Sequence, residues 1–212
     1  MQIPTAHLKA ALLFAAKKDV RNYLNAVLIE WDSENVSIVA TDGHRLFAAT
    51  HPMDETVEPG SVIAPYEDVK RALTGYKAET IEFTPNSSIG VRLQRGLETA
   101  TLGNVSFEPI DGKYPDWRLV VPSEISGEAA QFNPAYVGDL AKASKALGVK
   151  DAQAHIYHNG YDAALVTFGG REDCFAILMP MRSGPTNTDQ HALNVASAVS
   201  RPMSNGITSQ AA

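Results

Sequence analysis

Hydrophobic positions along the first 182 residues fall three times into the same order, a helical stretch followed by alternating strand-like stretches. Each repeat opens on a short extended entry with a proline: Ile3-Pro4-Thr5-Ala6-His7-Leu8, Ala64-Pro65-Tyr66-Glu67-Asp68-Val69 and Phe132-Asn133-Pro134-Ala135-Tyr136-Val137. Leu8, Val69 and Val137 take equivalent places. Four residues later stand Leu12, Leu73 and Ala141, so the spacing predicts one buried helical face per repeat. Pro4, Pro65 and Pro134 sit at or just before the first turn, where the missing N–H has no intrahelical partner to lose.

Strand-like alternation follows each helix. In the first repeat it covers residues 26–30, 36–40 and 46–50, separated by the turn-rich runs 32–35 and 41–45. The second reads 80–83, 89–93 and 98–102, and the third 154–157, 163–168 and 174–178. A helix on a few antiparallel strands cannot enclose a core alone, so two such units must pair. The expected fold class is therefore α+β. Residues 1–122 form a complete domain of two half-domains, 1–55 and 56–122. Residues 123–182 form an additional half-domain without a mate. The stretch 183–212 is poor in apolar periodicity and is expected to be a mobile tail, with a weak helical turn between Ala192 and Val199.

Composition narrows the function. A hydrophobic share of 44% suits an ordinary globular core, and a formal charge of −6 argues against coating nucleic acid over the whole surface. A local basic face is still allowed. The single cysteine, Cys174, excludes an internal disulfide framework, and neither a secretory signal nor an apolar run of membrane-spanning length is visible. The expected location is the cytoplasm. No nucleophile signature, glycine-rich phosphate loop or metal-ligand spacing appears; His155 and His158 lie in a strand and turn, so their rings need not converge on a metal. Neither a catalytic residue, nor a cofactor, nor a metal is expected.

Three strings carry a specific resemblance: Ala40-Thr41-Asp42-Gly43-His44-Arg45-Leu46, Tyr114-Pro115-Asp116-Trp117-Arg118-Leu119-Val120-Val121-Pro122 and Met179-Pro180-Met181-Arg182. In this order, and in register with the repeat, they resemble the bacterial DNA sliding clamp, the beta subunit of DNA polymerase III. Residues 1–122 look like its middle domain and 128–182 like the second half of its last domain. The resemblance implies the clamp fold of repeated half-domains, whose helices line a DNA-sized hole, and a groove where polymerases and other replication proteins dock a short peptide.

Carried over by motif, the floor of that groove comprises Leu24, Thr41, Gly43, Leu46, Pro115, Val120, Ile177, Met179, Pro180 and Met181. Its rim comprises Arg21, His44, Arg45, Tyr136 and Arg182. Met179 and Met181 have unbranched side chains that repack around different anchors. Leu24, Leu46, Val120 and Ile177 would be buried in almost any fold, so for them core packing competes with a binding role. The resemblance also implies phosphate contacts from Lys9, Lys17 and Lys18 on the first helix, Lys70 and Arg71 on the second, and Lys142 and Lys145 on the third. Acids such as Glu67 and Asp139 interrupt these charges, so an ordinary solvated face competes with a DNA face.

Two departures stand out. The clamp's first domain and the first half of its last domain have no counterpart here, so ring closure does not carry over. Where the family ends on leucine after Met-Pro-Met-Arg, this chain has Ser183, which removes a side chain worth about 1.5–3 kcal/mol at full burial. The leading expectation is a shortened clamp-like processivity factor, a homo-oligomer that binds such peptides and duplex DNA weakly. The alternative is an interaction protein without a ring that sequesters or redirects replication proteins.

Overall fold

The computed structural model describes residues 1–53, 57–85, 99–182, 192–194 and 196–197. Two compact units result, Met1–Met181 and Arg182–Ala212. In the second, residues 192–194 and 196–197 are helical. The rest of the expected tail, with Ser183, lies outside the described residues, as does the expected strand at 89–93.

The first unit runs β1 (Gln2–Pro4), α1 (Thr5–Phe14), β2 (Ala26–Trp31), β3 (Asn35–Thr41), β4 (Arg45–Pro52), β5 (Gly60–Pro65), α2 (Tyr66–Leu73), β6 (Thr80–Pro85), β7 (Ala100–Leu102), β8 (Val105–Phe107), α3 (Pro134–Ala146), β9 (Ala154–Tyr157), β10 (Ala164–Phe168) and β11 (Cys174–Leu178). Pro4 and Pro65 are the caps of α1 and α2, and Pro134 opens α3 behind an Asn133 side chain that accepts from the Ala135 amide. The β7–β8 hairpin turns at Gly103 with φ of 59°, and its three-residue arms are too short to show alternation in sequence.

All strand pairs are antiparallel, and they build two sheets, ordered β1-β6-β7-β8 and β5-β2-β3-β4-β11-β10-β9. The first two repeats exchange their lead strands. β1, which leads into α1, pairs with β6 behind α2, and β5, which leads into α2, pairs with β2 behind α1. The first helical amides make matching bonds across the pair, Thr5 to the Glu79 carbonyl at 2.8 Å and Tyr66 to the Asn25 carbonyl at 3.0 Å.

The third repeat, expected to be a half-domain without a mate, is joined edge-on to the first: β11 pairs with β4 from Cys174↔Ala49 to Leu178↔Arg45. Alternation along the large sheet then serves two faces. Val27, Ile29, Ile38, Phe47, Ala176 and Leu178 point into the main core with all three helices and the small sheet. Leu28, Val39, Leu46, Ala48 and Ile177 point to the other face, where the segment after β8 lays Tyr114, with Ile110 and Trp117 alongside.

Two expectations about the helices need correction. In α3 the buried residues are Leu140, Ala143 and Ser144, while Val137 and Ala141 are exposed. Lys17 and Lys18 lie beyond α1, which ends when Ala15 turns extended (ψ 144°) and the Ala16 amide bonds to the Leu24 carbonyl.

Candidate functional site

Five residue pairs bring the glycine bend and the methionine string together although they lie more than a hundred positions apart. Ile177 faces Leu46, Leu178 faces Arg45, and the seam continues with the Met179 amide donating to the His44 carbonyl at 2.9 Å. The bend itself is tightly tied. Thr41 Oγ1 donates to the Arg45 carbonyl at 2.7 Å and accepts the Gly43 amide at 3.0 Å, while Asp42 Oδ1 accepts the amides of His44 and Arg45. Gly43 has φ of +90°, and a Cβ there would stand 3.3 Å from the Arg21 guanidinium, so both conformation and space call for glycine.

Leu46 and Ile177, which pair in this seam, are buried, and so is Leu24 beyond the end of α1; Thr41 is nearly so. Met179 and Met181 are 41% and 48% exposed, and Pro180 is half-buried. The middle string contributes to the same face in another way than expected. Tyr114 packs in the cluster with Leu46 and Ile177, and Trp117 lies 6.2 Å from the Phe175 ring and donates to Glu30 at 3.1 Å. Pro115 and Val120 are exposed. The resemblance includes Tyr114 and Trp117 in its middle string without assigning them to the groove; one aromatic on either side of Pro115-Asp116 was the available signal. Burial raises the Tyr114 phenol above its ordinary value, and its hydroxyl approaches the Thr41 backbone without a hydrogen bond of good geometry.

Arg21, His44, Arg45 and Tyr136 border a depression of about 460 Å³ that also includes Lys17, Lys18, Asp42, Asp139 and Lys142. The predicted peptide rim and part of the predicted DNA face therefore meet in one charged hollow. His44 stacks on Tyr136 with ring centres 6.3 Å apart. Arg45 is only 9% exposed and directs its guanidinium inward: Nε to Asp42 at 2.9 Å, one terminal nitrogen to Asp139 at 2.7 Å, the other to the Leu13 carbonyl at 2.9 Å, with the Tyr136 ring 4.5 Å away. It bridges β4, α1 and α3. Burial works to raise the Asp139 carboxyl, but Lys142 and Arg45 prevail and hold it below its ordinary value. Arg21 instead forks onto Asp19, whose carboxyl that contact holds down to about 2. Arg182 is an exposed residue of the second unit.

The seven candidate DNA-contacting residues are all exposed. Several carry partners: Lys70 lies 3.6 Å from Glu67, Arg71 2.6 Å from Asp68, and Lys142 2.7 Å from Asp139. Lys17 lies over the Tyr66 ring at 5.6 Å. His158 accepts the Ala130 amide through Nδ1 at 3.0 Å, which gives that ring a structural role.

A second polar cluster ties α1 to the turn before β11. His7 is fully buried, with Nε2 2.9 Å from Asp173 Oδ2, and Arg171 pairs with the same carboxylate at 2.5 Å. Nε2 lies between the Asp173 carboxylate at 2.9 Å and an Arg171 terminal nitrogen at 3.0 Å; the shorter contact, to a group that can only accept, calls for the proton on Nε2, which leaves Nδ1 a bare acceptor rather than a buried unpaired donor. Burial lowers the pKa of His7 against the opposing pull of Asp173.

This architecture is shared with solved clamp structures. The beta subunit of Streptococcus pyogenes DNA polymerase superposes with a TM-score of 0.67 at 15% identity, covering 86% of this chain and 66% of that one. The DNA polymerase sliding clamp of Pseudomonas aeruginosa gives 0.63 at 20% identity, again over 86% of this chain and 66% of that one. The class is thus a clamp fold of about one and a half domains. The family model for the DNA polymerase III beta subunit, central domain, matches residues 4–116, and the chain belongs to that family. Among its relatives, the beta sliding clamp of Escherichia coli K12 is 33% identical over 119 residues, which is 54% of this chain and 30% of the relative. That of Salmonella typhimurium is 33% identical over 111 residues, 50% of this chain and 28% of the relative. The chain therefore aligns with about a third of the length of these curated relatives.

Proposed function

We propose that this chain is a clamp-type replication factor. Its β4–β11 seam docks a short peptide with Leu or Phe anchors from a polymerase or another replication protein, and its helical side touches duplex DNA weakly and without reading bases. The seam is the observation that carries the reading. The 2.9 Å bond from Met179 to His44 continues the ladder in which buried Ile177 faces buried Leu46, and exposed Met179 at the end of that ladder beside the tied bend supports the reading. An apolar surface with a few fixed polar groups at its edge suits an anchored peptide. The ion pairs at Lys70, Arg71 and Lys142 favour a second reading, in which the chain keeps the peptide groove and binds replication proteins away from any ring.

Fluorescence polarisation with a labelled peptide carrying Leu and Phe anchors tests the groove. Met179→Ala should weaken binding by roughly five- to tenfold, since truncating a partly exposed methionine forfeits about 1 kcal/mol of burial. Absence of binding by any such peptide, or equal binding by the variant, removes this reading.

A further inference from the structure

We infer that the charged hollow beside the methionine seam takes a carboxylate of the docked peptide, from an Asp or Glu lying beyond its Leu and Phe anchors; this rests on the peptide groove proposed above. His44 joins the two places. Its backbone carbonyl accepts the Met179 amide at 2.9 Å within the seam, while its exposed ring stacks on Tyr136 in the lining of the hollow. A peptide that leaves the seam past His44 enters the hollow.

Charge decides what can follow it there. The lining holds five cations, Lys17, Lys18, Arg21, Arg45 and Lys142, and three carboxylates. Each carboxylate is already spent. Asp19 accepts the Arg21 amide, Nε and Nη2 at 2.8–3.0 Å, Asp42 accepts two amides of its own turn and Arg45 Nε, and Asp139 accepts Arg45 and Lys142 at 2.7 Å. Several donors are not. Lys17 and Lys18 are exposed and have no carboxylate partner among the described residues, Lys17 lying instead over the Tyr66 ring. Arg21 spends Nε and Nη2 on Asp19, which leaves Nη1 beside the Gly43 turn with no acceptor among the described residues. About 460 Å³ of open space therefore lies among two uncompensated charges and unused N–H groups. A single carboxylate supplies the acceptor they lack, and hydrogen bonds between ionised groups are the stronger kind.

The loop that carries the lysines is tied down before any ligand arrives. The Ala16 amide bonds to the Leu24 carbonyl at 3.0 Å, and the Asn25 side chain holds Asp19 twice, accepting its amide at 2.9 Å and donating to its carbonyl at 2.8 Å. Lys18 sits in the left-handed region at φ of 62°, a conformation that a residue other than glycine keeps only where its surroundings impose it. Ordering the backbone in advance lowers the cost of capture. Duplex DNA would meet the same lysines from outside. Inside the hollow a phosphodiester chain brings its neighbouring phosphates toward the Asp42 and Asp139 walls, whereas a peptide brings one charge.

Fluorescence polarisation on the 212-residue chain tests this with paired peptides that share the Leu and Phe anchors and differ only in a glutamate or glutamine beyond them, placed in turn on either side. On one side glutamate should bind about three- to tenfold more tightly than glutamine, as two exposed charge contacts allow, and the ratio should shrink with added salt. Lys17→Gln combined with Lys18→Asn should bring the ratio close to one. Asparagine tolerates the left-handed backbone at 18, and comparing two peptides on the same protein cancels any change in folding. Equal binding of the paired peptides on both sides overturns the inference and leaves the groove standing, whereas no binding of either peptide removes both. A ratio that survives in the double variant also overturns it. So does a double variant that loses duplex affinity while the unmodified chain shows no preference for glutamate, which assigns the hollow to a phosphate.

Discussion

Removing the Arg45 guanidinium while keeping its bulk, as Arg45→Met, strands three acceptors at once: Asp42, Asp139 and the Leu13 carbonyl. Breaking a buried ion pair by deleting one partner costs about 3–5 kcal/mol, because the surviving charge stays desolvated. Here the carboxylates are 15% and 20% exposed and Asp139 keeps Lys142 at 2.7 Å, which points to the lower end, about 3 kcal/mol. For a unit of this size that is a fall in Tm of roughly 6–12 °C. Urea unfolding followed by far-UV circular dichroism gives the free energy, and Arg45→Met with Asp139→Asn completes a double-mutant cycle. Neutralising Asp139 removes one stranded charge, so the double variant should be more stable than the two single losses added together predict. Arg21→Ala is the control: its fork onto Asp19 is exposed and should leave the unfolding midpoint unchanged. A loss below about 1 kcal/mol for Arg45→Met, or strict additivity in the cycle, would refute the argument that this residue latches the third repeat to the first.

Two further outcomes follow from the same reasoning. The lowered pKa of His7 means the unfolded chain binds a proton before the folded one, so stability contributed by neutral His7 is full above pH 6.5 and falls as pH drops below it. Asp173, held below its ordinary value, adds a second loss as pH falls beneath 3.8. His7→Gln should flatten the upper of these steps in a plot of unfolding free energy against pH, and an unchanged profile would contradict the assignment. For duplex DNA, replacing both Lys17 and Lys18 by alanine should lower the slope of log affinity against log salt by about 1–2, equally on any sequence. An unaltered slope by filter binding would remove these lysines from the DNA face.

Much of this fold was legible because local rules agree with it. Three proline-headed helices and the strands of the first and third repeats follow from spacing alone, since strands such as β2, β4 and β11 feed one core with alternate residues and another with those between. Three-residue strands such as β8 carry too few residues to alternate visibly. The exposed Val137 illustrates another limit: a repeat tells which positions are equivalent, whereas burial depends on whether a mate is present. Pairing of β4 with β11 leaves no local trace, because its bonds are between backbone groups far apart in sequence. At the candidate site, the resemblance named residues that the seam sets side by side, notably His44 with Met179 and Leu46 with Ile177. It did not foresee that Arg45 turns inward, since ion pairing with a distant helix is a tertiary choice.

The β4–β11 ladder has one more meaning for how the molecule holds together. It works like the closing clasp of a bracelet, fastening a later-made strand to a hairpin built more than a hundred residues earlier. Until residue 178 has emerged, Leu46 and Phe47 on the rim of β4 lack the β11 neighbour on that side, so the nascent chain must wait for its third repeat before its first one is sealed.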